Sequence, residues 1–268
     1  MAGSALRGSC QKQLLISIEG NIGSGKSTFL ESFRTTGAID IPGEQLSIGN
    51  SLHQHGISTE VIPEPVEDWK NVHGANMLKL MYEDPLKHTF LFQNVVLLSD
   101  VKRMSANPDA ANVRLVERIT GSQCFIQQAL KKGNLTQLEA NILANWSNFI
   151  TSSQGTPTAD ATVYLKTSPT VALERIRKRN RPEEVGMGLE YLQELHALHE
   201  DHIHDLMLRG HHVIKFDNNG TLDSPAVKSS RGKVVRFLKS YMRNHKWPQV
   251  MNHELDCLNG CVLCSEGK

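Results

Sequence analysis

Ten residues near the start of the chain, EGNIGSGKST (19–28), carry the spacing G-x-x-x-x-G-K-[ST] across Gly20, Asn21, Ile22, Gly23, Ser24, Gly25, Lys26 and Ser27, with Thr28 following. Small residues at this spacing let successive backbone N–H groups turn inward onto phosphate oxygens at a helix N-terminus. Lys26 adds a point charge, and the Ser27 hydroxyl can ligate Mg²⁺. The pattern predicts a purine triphosphate with Mg²⁺ as ligand, and the chemistry such a cradle serves is transfer of the terminal phosphoryl group.

Transfer needs an acceptor. Glu64 directly follows the short run TEVIP (59–63), which puts a carboxylate at a strand end beside the phosphates. A carboxylate there suits a hydroxyl acceptor and repels an anionic one, whereas an enzyme acting on nucleoside monophosphates would need arginines to hold the acceptor phosphate. Glu117 and Arg118 end another apolar run, NVRLVER (112–118), and so face the same crevice. There the arginine can neutralise developing charge and the glutamate can hold Mg²⁺ through water, with a plain strand-end salt bridge as the alternative. RIRKRNRPEE carries Arg175, Arg177, Arg179 and Arg181, of which Arg175 and Arg179 share a helix face. Such a run is either a solvated face or a clamp that closes over the triphosphate.

These groups need a scaffold that brings strand ends together. QLLISIE (13–19) and NVRLVER read as buried strands, and TEVIP, ATVYLKT (161–167) and HHVIKFD (211–217) as three more strands. Between them DPLKHTFLFQNVVLLSDVKRM (84–104) has helical spacing behind an Asp-Pro start, with apolar residues at 86, 90, 91, 97, 98 and 101. GSQCFIQQALKKG and NLTQLEANILANWSNFITSS read as two helices, the first closed by Gly133 and the second capped by Asn134. SPTVALERIRKR starts at Ser168 with Pro169 at the first helical position, and Leu189, Leu192, Leu195 and Leu198 mark one side of a later helix. KVVRFLKSYMRNHK is a basic helix, and residues 35–58, rich in Gly, Ser and Asn, read as a surface loop insertion. Strands alternating with helices predict an α/β fold, a parallel doubly wound sheet with its ligand site at the carboxyl ends of the strands.

Composition narrows the partners. With 268 residues and 39% hydrophobic side chains, one substantial core is expected. The balance of 29 basic and 28 acidic side chains points to no nucleic-acid or membrane-surface partner. No apolar run of about 18 residues and no N-terminal apolar h-region occurs, so neither a membrane span nor a signal peptide is expected. The cysteines (Cys10, Cys124, Cys257, Cys261, Cys264) do not form a secreted disulfide framework, which makes the cytoplasm the expected location, a mitochondrial one being admitted. The terminal C-x₃-C-x₂-C lacks a fourth zinc ligand and reads as thiols of a disordered tail, while His196, His199, His202 and His204 read as a helix face.

IEGNIGSGKST, PEPVEDWKNVHG, LMYEDP, FQ at 92–93, VER, and YLKTSPTVALERIRKRNRPEEVGMGLEYLQELHALHED together resemble the deoxyribonucleoside kinase family, most nearly its insect multisubstrate and mitochondrial thymidine kinase branches. The resemblance runs from about Leu14 to Asp217, leaving out 35–58. It implies a P-loop kinase fold of five parallel strands with an arginine-rich lid, a flexible N-terminus (1–13), a kinase domain (14–245), a tail (246–268), and a homodimer built through the helices in 84–104 and 122–150. It also implies transfer from Mg-ATP to the 5′-hydroxyl of a deoxynucleoside. Glu64 becomes the base, Arg118 a partner of that oxygen and of the phosphates, and Arg175, Arg179 and Arg181 the lid clamp. Tyr82 and Glu184 hold the sugar 3′-hydroxyl, Gln93 pairs with the base edge, Trp69 and Phe92 line the base pocket, and Phe125 stacks on the base.

The chain departs from the family pattern after Arg118, where ITGSQCF is two residues short, a change able to displace Arg118. Asp100 stands at a base-pocket position where relatives carry Met or Arg, and is expected to accept from an exocyclic amino group. His88 and His202 replace tryptophans, which suggests a looser flank. Two other readings stay open: a nucleoside monophosphate kinase on the same scaffold, and a nucleotide-binding protein that has lost catalysis.

Overall fold

Strand β1 (Leu14–Glu19) is buried at all six positions. A strand covered on both faces has no polar side to show, which is why LLISIE reads as almost continuously apolar. The computed structural model describes residues 13–34, 52–53, 57–105, 111–119, 121–152, 159–220 and 224–244. Strands β2 (Thr59–Ile62), β3 (Val113–Glu117), β4 (Ala161–Lys166) and β5 (His212–Asp217) join β1 in one sheet of order β2-β3-β1-β4-β5. Every neighbouring pair is parallel. Parallel neighbours cannot be joined by a tight turn, so the connections carry helices, and the expected α/β doubly wound sheet is the one observed.

Along the chain the helices are α1 (Lys26–Glu31), α2 (Val66–Trp69), α3 (Met77–Glu83), α4 (Pro85–Ser105), α5 (Ser122–Lys131), α6 (Gln137–Ser152), α7 (Pro169–Arg179), α8 (Leu189–Leu208) and α9 (Pro225–Asn244). A 3₁₀ turn, Pro182–Glu184, lies between α7 and α8. One face of the sheet packs Leu14, Ile16, Ile18, Leu115 and Val163 against Phe29 and Phe33 near α1 and Val234 and Leu238 of α9. On the other face Leu15, Ile62 and Val116 meet Met104 at the end of α4.

Local chemistry explains most boundaries. The Ser168 hydroxyl accepts from the Val171 N–H at 3.4 Å with Pro169 at the helix start, as the sequence predicts for α7. Helix α6 is opened differently from the expected Asn134 cap. The Asn134 N–H donates to the Ala129 carbonyl (2.8 Å) and finishes α5, while Thr136 and Glu139 form a reciprocal capping box. Leu189 is partly buried, and Leu192, Leu195 and Leu198 are buried, so the stripe on α8 faces inward as expected. Most of 35–58 lies outside the described residues, yet Leu52 and Ile57 are wholly buried in the sheet core, so the segment is not purely a surface excursion. Cys10 and the three C-terminal cysteines also lie outside the described residues.

Candidate active site

The loop between β1 and α1 is shaped by what glycine permits. At Gly23 the backbone takes φ of 72°, and an added Cβ would stand 2.5 Å from the Ala172 carbonyl oxygen, so only glycine fits between the loop and α7. Lys26 donates to the carbonyls of Gly20 (3.2 Å) and Asn21 (3.0 Å), and its ammonium is 3.9 Å from Glu117. Burial lowers its pKa to about 8, with Arg118 adding to the effect and Glu117 and Glu64 opposing it. The Ser27 hydroxyl reaches the Glu117 carboxylate at 3.2 Å.

Three strand ends supply the rest, since Ile18 of β1 is in register with Glu117 of β3 and Ile62 of β2 with Val116. Glu64, two residues beyond β2, is ion-paired with Arg118 at 3.0 Å, and its N–H points at Glu117 Oε2 (3.4 Å). Arg118 also donates to the Gly20 carbonyl (3.1 Å) and lies 4.5 Å over the Phe125 ring. Burial works against the Arg118 charge, but Glu64, Glu19 and Glu117 outweigh it and raise its pKa. Burial, with Glu64 beside it, raises the pKa of Glu117 against the pull of Lys26 and Arg118.

Arg118 sits at φ of 52°, in the left-handed region, a conformation that costs a residue with a Cβ about 1–2 kcal/mol. Ile119 and Gly121, just after it, lie close against Glu19. The Ile119 N–H donates to Ser17 Oγ (3.1 Å) and Glu19 Oε1 (3.0 Å), and a Cβ on Gly121 would collide with the Glu19 carboxylate.

Glu64, Arg118 and the phosphate loop border one cleft of about 1630 Å³. That exceeds the ~300–1,000 Å³ of a single small-ligand site, leaving room for donor and acceptor together. Trp69, Tyr82, Phe92, Gln93, Phe125 and Glu184 all line it. Trp69 and Phe92 meet edge to face at 5.5 Å, and the indole donates to Ser99 (3.1 Å). Burial, with Tyr191 and Glu184 nearby, lifts the Tyr82 pKa far above its ordinary value. Glu184 accepts from Arg179 at 2.6 Å and Arg181 at 3.3 Å, so the group expected at the sugar is paired with two of the expected lid arginines. Arg175 lines the cleft as well, but its guanidinium donates to the carbonyls of Asn218 and Gly220 (2.8 Å each). It therefore braces the loop after β5.

Asp100 stands apart from the others. It is not among the cleft-lining residues, and its carboxylate is ion-paired with Arg103 at 2.8 Å on the same helix. His199 is buried edge-on to Phe125, its Nδ1 2.7 Å from the Leu195 carbonyl, and burial lowers its pKa to about 3. Asn218, Asn219 and Gly220 also line the cleft, directly after β5, where the strand-end rule applied to the fifth strand would have found them.

Comparison with known proteins identifies the family. The sequence model of the family described as Deoxynucleoside kinase matches residues 16–242. The chain belongs to the deoxynucleoside kinase family. Among its relatives, human "Thymidine kinase 2, mitochondrial" is 34% identical over 193 residues, covering 71% of this chain and 64% of that protein. "Deoxycytidine kinase 2" of Gallus gallus is 32% identical over 238 residues (80% and 81%), and "Deoxycytidine kinase" of Mus musculus 33% over 209 (69% and 73%). The chain thus spans somewhat under two thirds of the length of the human thymidine kinase. The family match covers the sheet from Ile16 onward, the phosphate loop and the arginine-bearing α7.

Proposed function

We propose that this family member transfers the γ-phosphoryl group of ATP to the 5′-hydroxyl of a deoxyribonucleoside. The observation that carries the reading is the Glu64 carboxylate, held 3.0 Å from Arg118 in the cleft that also contains Lys26. A carboxylate in that place takes the proton of a sugar alcohol as the oxygen attacks phosphorus. Arg118 fixes the carboxylate, steadies the alcohol oxygen and stabilises charge on the transferring group. Lys26 and the loop amides bind the β- and γ-phosphates, and Arg179 and Arg181 close over them from α7 and the lid. Glu184 and Tyr82 receive the 3′-hydroxyl. Gln93, offering both donor and acceptor, pairs with the base edge between Trp69, Phe92 and Phe125.

The reading includes Mg²⁺. The Ser27 hydroxyl and the Glu117 carboxylate, 3.2 Å apart beside the loop, are the hard oxygen donors this ion takes. When bound with ATP, Mg²⁺ neutralises charge on the phosphate oxygens.

The family relation and the carboxylate favour a free nucleoside over a nucleoside monophosphate, whose phosphate Glu64 would repel. A homodimer through α4 and α6 is part of the proposal. These helices expose Leu86, Leu91, Leu98, Leu138, Trp146 and Phe149, more apolar surface than water-facing helices need to carry. A cytoplasmic location is proposed from the cysteine usage, the alternative being the compartment named for the human relative. Among the described residues no helix is long and apolar enough to cross a membrane.

The test is ADP release with Mg-ATP and each of thymidine, deoxycytidine, deoxyadenosine and deoxyguanosine, set against dTMP and dCMP. Turnover is expected with free nucleosides alone. Turnover with the monophosphates instead would establish the other kinase class, and ATP binding without any transfer would establish loss of catalysis.

A further inference from the structure

We propose that Asp100 and Arg103 form a positioning device for Arg118, the guanidinium of Arg103 holding the turn at residues 117–118 in the shape that aims Arg118 at Glu64. The inference rests on the catalytic reading of Glu64 and Arg118 given above, and it replaces base recognition as the role of Asp100.

Arg103 lies in the last turn of α4, and its side chain reaches across to the sheet. It donates to the Glu117 carbonyl at 2.6 Å and to the Arg118 carbonyl at 2.5 Å, with the Pro63 carbonyl 3.4 Å away. These three carbonyls belong to the two strand ends from which Glu64 and Arg118 leave the sheet. One planar guanidinium therefore ties the β2 exit to the β3 exit, a task its fork of donors suits and a single ammonium does not.

The fork is itself fixed from two sides. Asp100 accepts from Arg103 Nε at 2.9 Å and pairs with Nη2 at 2.8 Å, so one carboxylate orients the guanidinium. The backbone of α4 at the same place is held by Arg114 of β3, which donates to the carbonyls of Met104 (3.1 Å) and Arg103 (3.4 Å) while paired with Glu60 at 2.6 Å. Both Asp100 and Arg103 are largely buried, at 18% and 9% side-chain exposure.

The turn they hold needs holding. Arg118 is in the left-handed region, where a non-glycine residue stays only if its surroundings insist. With the Arg118 carbonyl released, the peptide between Arg118 and Ile119 is anchored only through its N–H, to Ser17 Oγ and Glu19 Oε1, and the guanidinium shifts away from Glu64. Burial raises the Asp100 pKa to about 6 against the pull of Arg103, which leaves the pair charged at neutral pH.

The test is steady-state kinetics of the full chain in Arg103→Met, Arg103→Lys, Asp100→Asn and the Asp100→Asn/Arg103→Met double variant, with thymidine and deoxycytidine as acceptors. Arg103→Met is expected to lower kcat about 100-fold, the penalty for roughly an ångström of misplacement, with KM for ATP and nucleoside changed less than about threefold. Arg103→Lys keeps charge and stem and serves where the methionine variant does not fold, and its kcat is expected to fall at least about tenfold. The double variant should be no slower than Arg103→Met, because Asp100 acts only through Arg103. The ratio of kcat/KM for the two nucleosides should stay constant throughout. Wild-type kcat in Arg103→Lys or Arg103→Met would overturn the proposal, as would an Asp100→Asn variant that keeps kcat and shifts the nucleoside ratio. Failure of the unmutated protein to phosphorylate any nucleoside would instead overturn the reading of the site on which the proposal stands.

Discussion

Four charged side chains from three segments crowd one point: Lys26, Glu64, and the adjacent Glu117 and Arg118. Their charges cancel in pairs, and the cost of burying them is visible at Lys26, whose pKa is lowered from 10.5 to about 8. The sign follows from which state keeps the proton. The unfolded chain holds it up to about 10.5 and the folded chain only to about 8, so the stability of the free protein gains from this group as pH rises through that window. Triphosphate affinity goes the other way, because the phosphates need the ammonium. Titration calorimetry with a non-hydrolysable ATP analogue should show Kd rising above pH 8, by up to about tenfold per pH unit, and flat below pH 7. A Kd independent of pH from 7 to 9.5 would mean that Lys26 does not meet the phosphates.

At the scale of elements, the parts readable from sequence were those whose signal is local. The strands are short apolar runs, buried throughout in β1 and β3, nearly so in β4 and only in part in β2 and β5, and Gly20–Ser27, Ser168 and Pro169 are punctuation with a fixed geometric meaning. Helix α4 was legible as a helix but not in its orientation. The apolar residues that mark it include Leu86, Leu91 and Leu98, which are exposed, while its buried positions are Thr89, Phe92, Gln93, Val96 and Met104. A helix with one side on the cleft and another apolar side outward does not present a single stripe. Helix α9 begins well before the basic stretch that announces it, because Val234 and Leu238 pack on the sheet and carry helix through Ser and Gly. The short α2 and α3 lie among Pro, Asp, Asn and Gly, where periodicity has too few residues to register. Arg103 was invisible for another reason: its partners lie 14 and 15 residues away, and no spacing rule joins a helix end to two backbone carbonyls on a strand.

For the whole molecule, the proposed homodimer rests on the apolar outer surface of α4 and α6. Trp146 and Phe149 contact each other edge to face at 6.2 Å and remain 52% and 62% exposed. Replacing both with glutamate removes apolar area from a surface where a second copy would bury it, and the folded chain loses little because neither side chain is in the core. Sedimentation velocity should find the unmutated protein at twice the chain mass at micromolar concentration, and Trp146→Glu/Phe149→Glu at the chain mass with an unchanged melting profile. An unmutated chain that sediments as a monomer would remove the dimer from the proposal.

The most direct test of the central claim is single-turnover phosphoryl transfer to a free deoxynucleoside by Glu64→Gln beside the unmutated protein. Loss of a positioned base predicts a fall of about 100- to 10,000-fold in the transfer step, with binding of the ATP analogue retained. Transfer by Glu64→Gln at the unmutated rate would contradict the account, because the proton of the sugar alcohol would then leave by another route.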